Sequence, residues 1–283
     1  IADTLSTRYL NIDRRIGQIK ESDVFELLMN TYLSAVEPHT GFFSPRATEN
    51  FKIRMSLSLE GIGAVLQMDG EYTLVHRILP GGPADLGQEL HGGDRITGVA
   101  QGEEKPIIEV VGWRLDDVVD LIRGPKGSLV RLQVLPKNEP PGGANRVIQI
   151  RRDTINLEEQ AARQSTLEID TQEGQIRIGV ITIPTFYVDF DARARGDNDY
   201  RSTTRDVRRL LSELQQNEIK ALIIDLRGNG GGALTEAISV TGLFISSGPI
   251  VQVRDSRGKV NIRKDPDPGI LYSGPLLIMV DRD

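Results

Sequence analysis

Apolar residues recur along the first fifty positions at three- and four-residue steps: Leu5, Tyr9, Leu10 and Ile12, then Val24, Leu27, Leu28, Tyr32 and Leu33. That period predicts helix. Ser22 with Glu26 behind it reads as a start signal. Glu37-Pro38-His39-Thr40-Gly41 reads as the stop, because Pro38 disfavours helix at the residue before it. The pattern then changes to alternation. Tyr72-Thr73-Leu74-Val75 and Val130-Arg131-Leu132-Gln133-Val134 have the period of half-buried strands. Asn138-Glu139-Pro140-Pro141-Gly142-Gly143 is a turn, and Arg146 to Arg152 is one more strand.

From about residue 155 strands and helices alternate. Gln175 to Ile181 reads as a strand, and Val207, Leu210, Leu211 and Leu214 mark an amphipathic helix over Asp206 to Gln215. Ala221 to Leu226 is a short, nearly continuous apolar run, the mark of a strand covered on both faces. A glycine run and a helix over Leu234 to Phe244 follow, then strands at Ile250 to Val253 and Leu276 to Val280. Such alternation implies crossover connections and a largely parallel core. Asp189 to Arg205, dense in both charges, is expected to be a mobile loop. The fold class is therefore multidomain, combining α+β and α/β parts. The expected domains are a helical segment over 1–50 that packs beside its neighbour, a β-rich domain over 51–154 and an α/β core over 155–283.

Composition narrows the function classes. A net charge of −6 without concentrated basic patches argues against nucleic acid and against an anionic membrane surface. No apolar run reaches the roughly 20 residues that span a bilayer. The chain opens on Ile1-Ala2-Asp3 without a secretory signal, which processing would have removed from an exported protein. Zero cysteines exclude disulfides, thiolate metal sites and a cysteine nucleophile, and are compatible with export. His39, His76 and His91 lack metal-ligand spacing, and no cofactor is expected. GxSxG, HExxH and Walker motifs are absent.

Two glycine-centred elements carry the candidate chemistry. In Glu60-Gly61-Ile62-Gly63-Ala64, the glycines permit successive N–H groups to converge on one anion. An isolated GxG is equally a tight turn. Here Pro80-Gly81-Gly82-Pro83-Ala84, Gly93-Asp94-Arg95-Ile96 and Arg123-Gly124-Pro125-Lys126-Gly127 follow in order, and the set resembles a PDZ domain of the bacterial protease-associated type. Such a domain adds a peptide C-terminus as a strand to a sheet edge and seats its carboxylate among backbone N–H groups. The resemblance makes Leu59, Gly61, Ile62 and Gly63 the tail-binding loop. Leu115, Val118, Val119 and Ile122 form the apolar helix wall of a pocket for the last side chain, which implies a preference for apolar ends.

The second element, Asp225-Leu226-Arg227-Gly228-Asn229-Gly230-Gly231-Gly232, closes a buried strand and opens a helix. Ligands and chemistry collect there in α/β sheets. With no Lys-Ser/Thr after the glycines and no GxGxxG register, an oxyanion cradle suits it better than a phosphate site. Spacing alone leaves a plain strand-to-helix turn open.

Ser56 to Gly63, Gly112 to Val119, Asp225-Leu226-Arg227, Gly230 to Glu236 and Val280-Asp281-Arg282 together resemble the tail-specific, or C-terminal processing, proteases of the Prc/Tsp type, from about Tyr32 to Arg282. The resemblance implies a periplasmic serine endopeptidase that uses a Ser-Lys pair. It also implies that tail binding to the PDZ domain switches the active site on. The third glycine of the run supplies an oxyanion-hole N–H in that family, which is Gly232 here, with Gly231 as neighbour. In the family Val-Asp-Arg runs into a Ser/Ala-rich segment with the nucleophile, and the base Lys lies further on. Asp283 departs from the apolar residue usual after Val-Asp-Arg, and the sequence stops there. Ser and Lys are therefore expected beyond these 283 residues, in a core incomplete at its C-terminus. The implied partners are protein substrates with apolar C-termini and a helical-repeat lipoprotein adaptor, with membrane association only through a partner. The alternative is a catalytically inactive PDZ-containing binding or scaffold protein. A trypsin-like protease with an attached PDZ domain fits poorly, since it needs antiparallel barrels.

Overall fold

The computed structural model describes residues 9, 12–13, 16–172, 174–265, 267 and 269–282. Leu5, Leu10 and Asp283, named above, lie outside the described residues. The chain divides into two compact units, one of Ile1–Glu49 with Glu60–Ile155, the other of Asn50–Leu59 with Asn156–Asp283.

In chain order the first unit holds α1 (Glu21–Val36) and the start of α2 (Pro45–Ser56), whose remainder lies in the second unit. Next come β1 (Ser58–Gly61), β2 (Ala64–Asp69), β3 (Tyr72–Ile78) and α3 (Pro83–Gly87). Then follow β4 (Arg95–Gln101), β5 (Ile108–Glu109), α4 (Leu115–Ile122), β6 (Leu129–Leu135), β7 (Arg146–Arg151) and β8 (Asp153–Asn156). The main sheet has the order β2-β3-β4-β6-β7, with β5 on β4, and its pairs are antiparallel. Alternate residues of β6, Val130, Leu132 and Val134, point into a core with Val75, Ile96, Val118, Ile122 and Ile150. Burying such side chains contributes roughly 1.5–3 kcal/mol each.

The N-terminal helices depart from expectation in three ways. α1 starts at Glu21 rather than Ser22, because the Asp23 carboxylate accepts from the Lys20 N–H at 3.0 Å and closes the first turn. The expected packing stripe is turned outward: Val24, Leu27, Leu28 and Tyr32 are exposed. Polar contacts join this segment to α4 instead, with Lys20 Nζ 2.7 Å from Asp117 and Arg46 Nη2 2.8 Å from Asp117 and 3.0 Å from Asp120. The helix α2 was not read from the sequence, although Ser44-Pro45 signals it: the Ser44 hydroxyl accepts from Ala47 N–H at 3.3 Å and proline suits the first turn.

In the second unit β9 (Arg163–Thr171), β10 (Gly174–Thr182) and α5 (Phe190–Ala194) are followed by α6 (Thr203–Gln216) and β11 (Ala221–Asp225). Then come α7 (Leu234–Gly242), β12 (Pro249–Arg254), β13 (Val260–Lys264) and β14 (Leu276–Met279). The sheet order is β14-β11-β10-β9, with β10, β11 and β14 mutually parallel and β9 antiparallel on the edge. Among the described residues β12 does not join it and pairs with β13 alone. Ile181, Ile183, Leu211, Leu214 and Leu222 form the core between α6 and the sheet. The charged stretch Asp189 to Arg205 is structured rather than an open loop. Asp189 caps α5 through Ala192 N–H, Val188 bridges Ser202, and Arg193 and Arg205 stack on Tyr200.

Candidate functional site

Each unit contains one candidate site. In the first, β2 pairs only with β3 among the described residues, so its other edge has no strand partner there. α4 packs against β2. Upstream of β2, Ile62 O accepts Ala84 N–H and Gly63 O accepts Leu79 N–H, both at 2.8 Å. These bonds tie the loop to α3 and the end of β3. Gly63 has φ +77°, and a Cβ there would lie 3.0 Å from Gly82 Cα, so only glycine allows the two chains to approach. The N–H groups of Ile62 and Gly63 find no acceptor among the described residues. Adjacent N–H groups at the mouth of an edge strand suit an anion. The Glu60 carboxylate accepts from Lys126 N–H at 3.1 Å and holds the Arg123–Gly127 loop nearby.

The residues expected to bind a tail separate into different places. The Ile62 side chain is buried in the core, as are Val118 and Ile122. The 3.6-residue period turns Val118 and Ile122 toward the sheet. Leu115 and Val119, one turn apart, are half-buried. Gly61 ends β1, and Leu59 lies in the same strand, in the part of it that belongs to the second unit.

The second site is the glycine run. Asp225 at the end of β11 accepts from Arg227 Nε and Nη2, both at 2.9 Å, and from Arg227 N–H at 3.1 Å. The guanidinium holds the Asp225 carboxyl below the usual carboxylate range. Asn229 bridges the turn: its Oδ1 accepts Gly231 N–H at 2.7 Å and its Nδ2 donates to Ile183 O at 2.8 Å. Gly228 N–H donates to the Asp281 carboxylate, and Thr185 Oγ1 donates to Gly231 O at 2.9 Å. Phe186 lies alongside in a parallel bridge with Gly232. The Phe186 N–H donates to Gly231 O at 2.9 Å, and Phe186 O accepts Ala233 N–H at 2.7 Å.

In a parallel bridge the bracketed residue turns its own N–H and C=O the other way. Gly232 N–H accordingly finds no acceptor among the described residues, and Gly232 is exposed. Gly231 differs: its N–H is engaged by Asn229 and is not free for a ligand. α7 starts two residues after Gly232, and the buried Glu236 in its first turn accepts from Thr204 N–H (2.9 Å) and Oγ1 (2.6 Å). The result is an exposed Gly232 donor on a loop braced by Asn229, Thr185, Phe186 and Asp281, beside a helix N-terminus. Such a donor can stabilise a developing oxyanion without reorganising.

Sequence reading did not find Asn229, Thr185, Phe186 or Glu236. Asn229 carried a signal, since asparagine among glycines commonly bonds the backbone two residues on. Thr185 and Phe186 carried none, lying some 46 residues from the loop they brace.

Comparison with known proteins accounts for the order of these parts. A tail specific protease N-terminal domain matches residues 1–46, a PDZ domain 50–135 and peptidase family S41 177–283. The chain is 40% identical to the tail-specific protease of Haemophilus influenzae, over 98% of its own length and 37% of that protein. It is 30% identical to a carboxy-terminal processing protease of Bacillus subtilis, over 81% of its length and 42% of that protein. The chain thus spans well under half the length of these relatives. Residues amounting to 36% of it are 56% identical to the whole of a solved PDZ domain, from a carboxy-terminal protease of Vibrio cholerae in complex with peptide, with a TM-score of 0.34. With all three domains present in order, the chain belongs to the tail-specific, or C-terminal processing, protease family.

Proposed function

We propose that this chain supplies the tail-binding groove and the oxyanion-stabilising loop of a serine endopeptidase that captures proteins by their apolar C-terminal ends. The observation that carries this reading is the Gly232 N–H, without an acceptor among the described residues and turned away from Phe186 by the bridge that fixes its neighbours. In the first unit, the open edge of β2, the unpartnered Ile62 and Gly63 N–H groups, and Leu115 with Val119 offer a strand partner, an anion site and an apolar wall.

The nucleophilic serine and the base lysine lie outside residues 1–283 in this reading. A lysine in apolar surroundings stays neutral enough to accept the serine proton. The serine oxygen bonds to the scissile carbonyl carbon, and the carbonyl oxygen takes the negative charge within reach of Gly232 N–H. As the tetrahedral intermediate collapses, the C–N bond breaks and the lysine returns the proton to the leaving amine. Water then hydrolyses the acyl-enzyme by the same route. Donors of this kind contribute on the order of 10²–10³-fold in rate. Holding the tail makes the attack effectively intramolecular, so weak tail binding still raises the local substrate concentration. The working compartment is the bacterial periplasm, with which a cysteine-free chain is compatible.

The test uses the full-length protein and an unfolded protein substrate with an apolar C-terminus, with fragments mapped by mass spectrometry. Internal cuts that depend on the apolar end are expected. Absence of cleavage, or cleavage indifferent to replacing the end by two aspartates, contradicts the reading.

A further inference from the structure

Arg152 is 2% exposed, yet no carboxylate pairs with it among the described residues. Burial alone pulls its pKa below the usual arginine value. Isolated buried charges are strongly unfavourable unless every donor is satisfied. Here all five guanidinium N–H groups have an acceptor. Nε donates to Ile122 O at 2.7 Å, and Nη2 to Leu121 O at 3.0 Å and Gln101 Oε1 at 2.7 Å. Nη1 donates to Ser128 Oγ at 2.9 Å and Leu129 O at 3.4 Å.

Two of these acceptors are the terminal carbonyls of α4, the helix that walls the groove. α4 has only eight residues and no basic residue in its last turn, and Arg123 N–H caps it by donating to Val119 O. So short a helix frays readily. A buried cation at its C-terminus meets both the orphan carbonyls and the negative end of the dipole. The Arg152 backbone is fixed as well: its N–H donates to Ser128 O and its carbonyl accepts from Gly127 N–H, both at 2.8 Å. The side chain therefore ties the end of α4 to the sheet. Gln101 reinforces the tie, because its Nε2 also donates to Leu121 O at 2.6 Å.

We infer that Arg152 is a positioning residue for tail recognition, fixing the last turn of α4 and with it the Val119 wall, so that it sets both affinity for the tail and discrimination among terminal side chains. The inference rests on the groove between β2 and α4 being the tail site. Lysine carries the charge but only three donors and no fork, so it cannot hold Ile122 O, Leu121 O and Gln101 together.

The experiment measures binding of two synthetic free-acid peptides, alike except for a terminal Ala or Leu, to the full-length protein and its Arg152→Lys variant. Losing buried bonds of this kind predicts about tenfold weaker binding of both peptides, with the Ala/Leu affinity ratio moving toward one. Arg152→Lys that is folded and keeps wild-type affinity and ratio overturns the inference. If that variant does not fold, Gln101→Met decides: a severalfold loss with a reduced ratio supports the clamp, and unchanged values overturn it. If the unsubstituted protein binds neither peptide, the groove reading itself fails.

Discussion

Phe186 holds Gly232 by its two neighbours and leaves the glycine's own N–H without an acceptor among the described residues. The bridge brings the chains so close that a Cβ on Gly232 would lie 2.2 Å from Phe186 O, and Gly232 has φ +141°, where side chains are disfavoured. Close approach and a free donor are thus two consequences of one contact. This explains why the loop requires glycine at that place rather than a small residue in general.

Gly232→Ala should therefore remove activity without removing recognition. The methyl group must push Phe186 away or turn the peptide, and either moves the donor. In the full-length enzyme kcat/KM is expected to fall on the order of 10²–10³-fold. Affinity for an apolar tail peptide should stay unchanged. Steady-state kinetics beside a binding titration check both halves. Undiminished turnover would remove Gly232 from the mechanism.

The two faces of α4 should respond differently to substitution. Val118 is fully buried, and Val118→Ala is expected to destabilise by about 1–3 kcal/mol through lost burial and a residual cavity. Val119 is half-buried on the groove side, so Val119→Asp should keep the fold while weakening apolar tail binding by at least about tenfold. Denaturant melts and tail titrations of both variants separate the effects. A Val119→Asp protein with intact tail affinity would move the wall elsewhere.

Asp225 predicts an acid-side dependence of stability. Its hydrogen bonds from Arg227 lower its pKa in the folded protein, whereas an unfolded aspartate ionises near about 3.9. The unfolded chain then binds the proton first as pH falls, so the contribution is complete above about pH 4 and is lost as pH drops through the lower folded value. Asp225→Asn should be less stable than the parent at neutral pH, and the difference should shrink below about pH 4. Urea unfolding across that range measures it. A constant difference would mean that the carboxylate charge is not what matters.

The legible parts of this chain were those whose neighbours in sequence are also their neighbours in space. β10, β11, α6 and α7 declared themselves by apolar period, and the glycine run declared its position at the end of a buried strand. β9 did not, because its Leu167 and Ile169 are exposed among polar residues and its strand character comes from pairing along β10. The period of α4 gave one stripe of four apolar residues. Which two face the core and which two border the groove depends on where β2 lies, and no local pattern encodes that. The same holds for Gly231 and Gly232. They are chemically identical in sequence, and Asn229 on one side and Phe186 on the other decide which N–H remains free.

In the proposed function a free C-terminal carboxylate on an apolar tail commits a substrate to cleavage. The most direct measurement compares hydrolysis by the full-length enzyme of one polypeptide carrying either a free or an amidated apolar C-terminus. With Ile62 and Gly63 N–H groups receiving the carboxylate, the free acid should be cut with kcat/KM higher by about tenfold or more. Equal rates for the two forms would contradict the account.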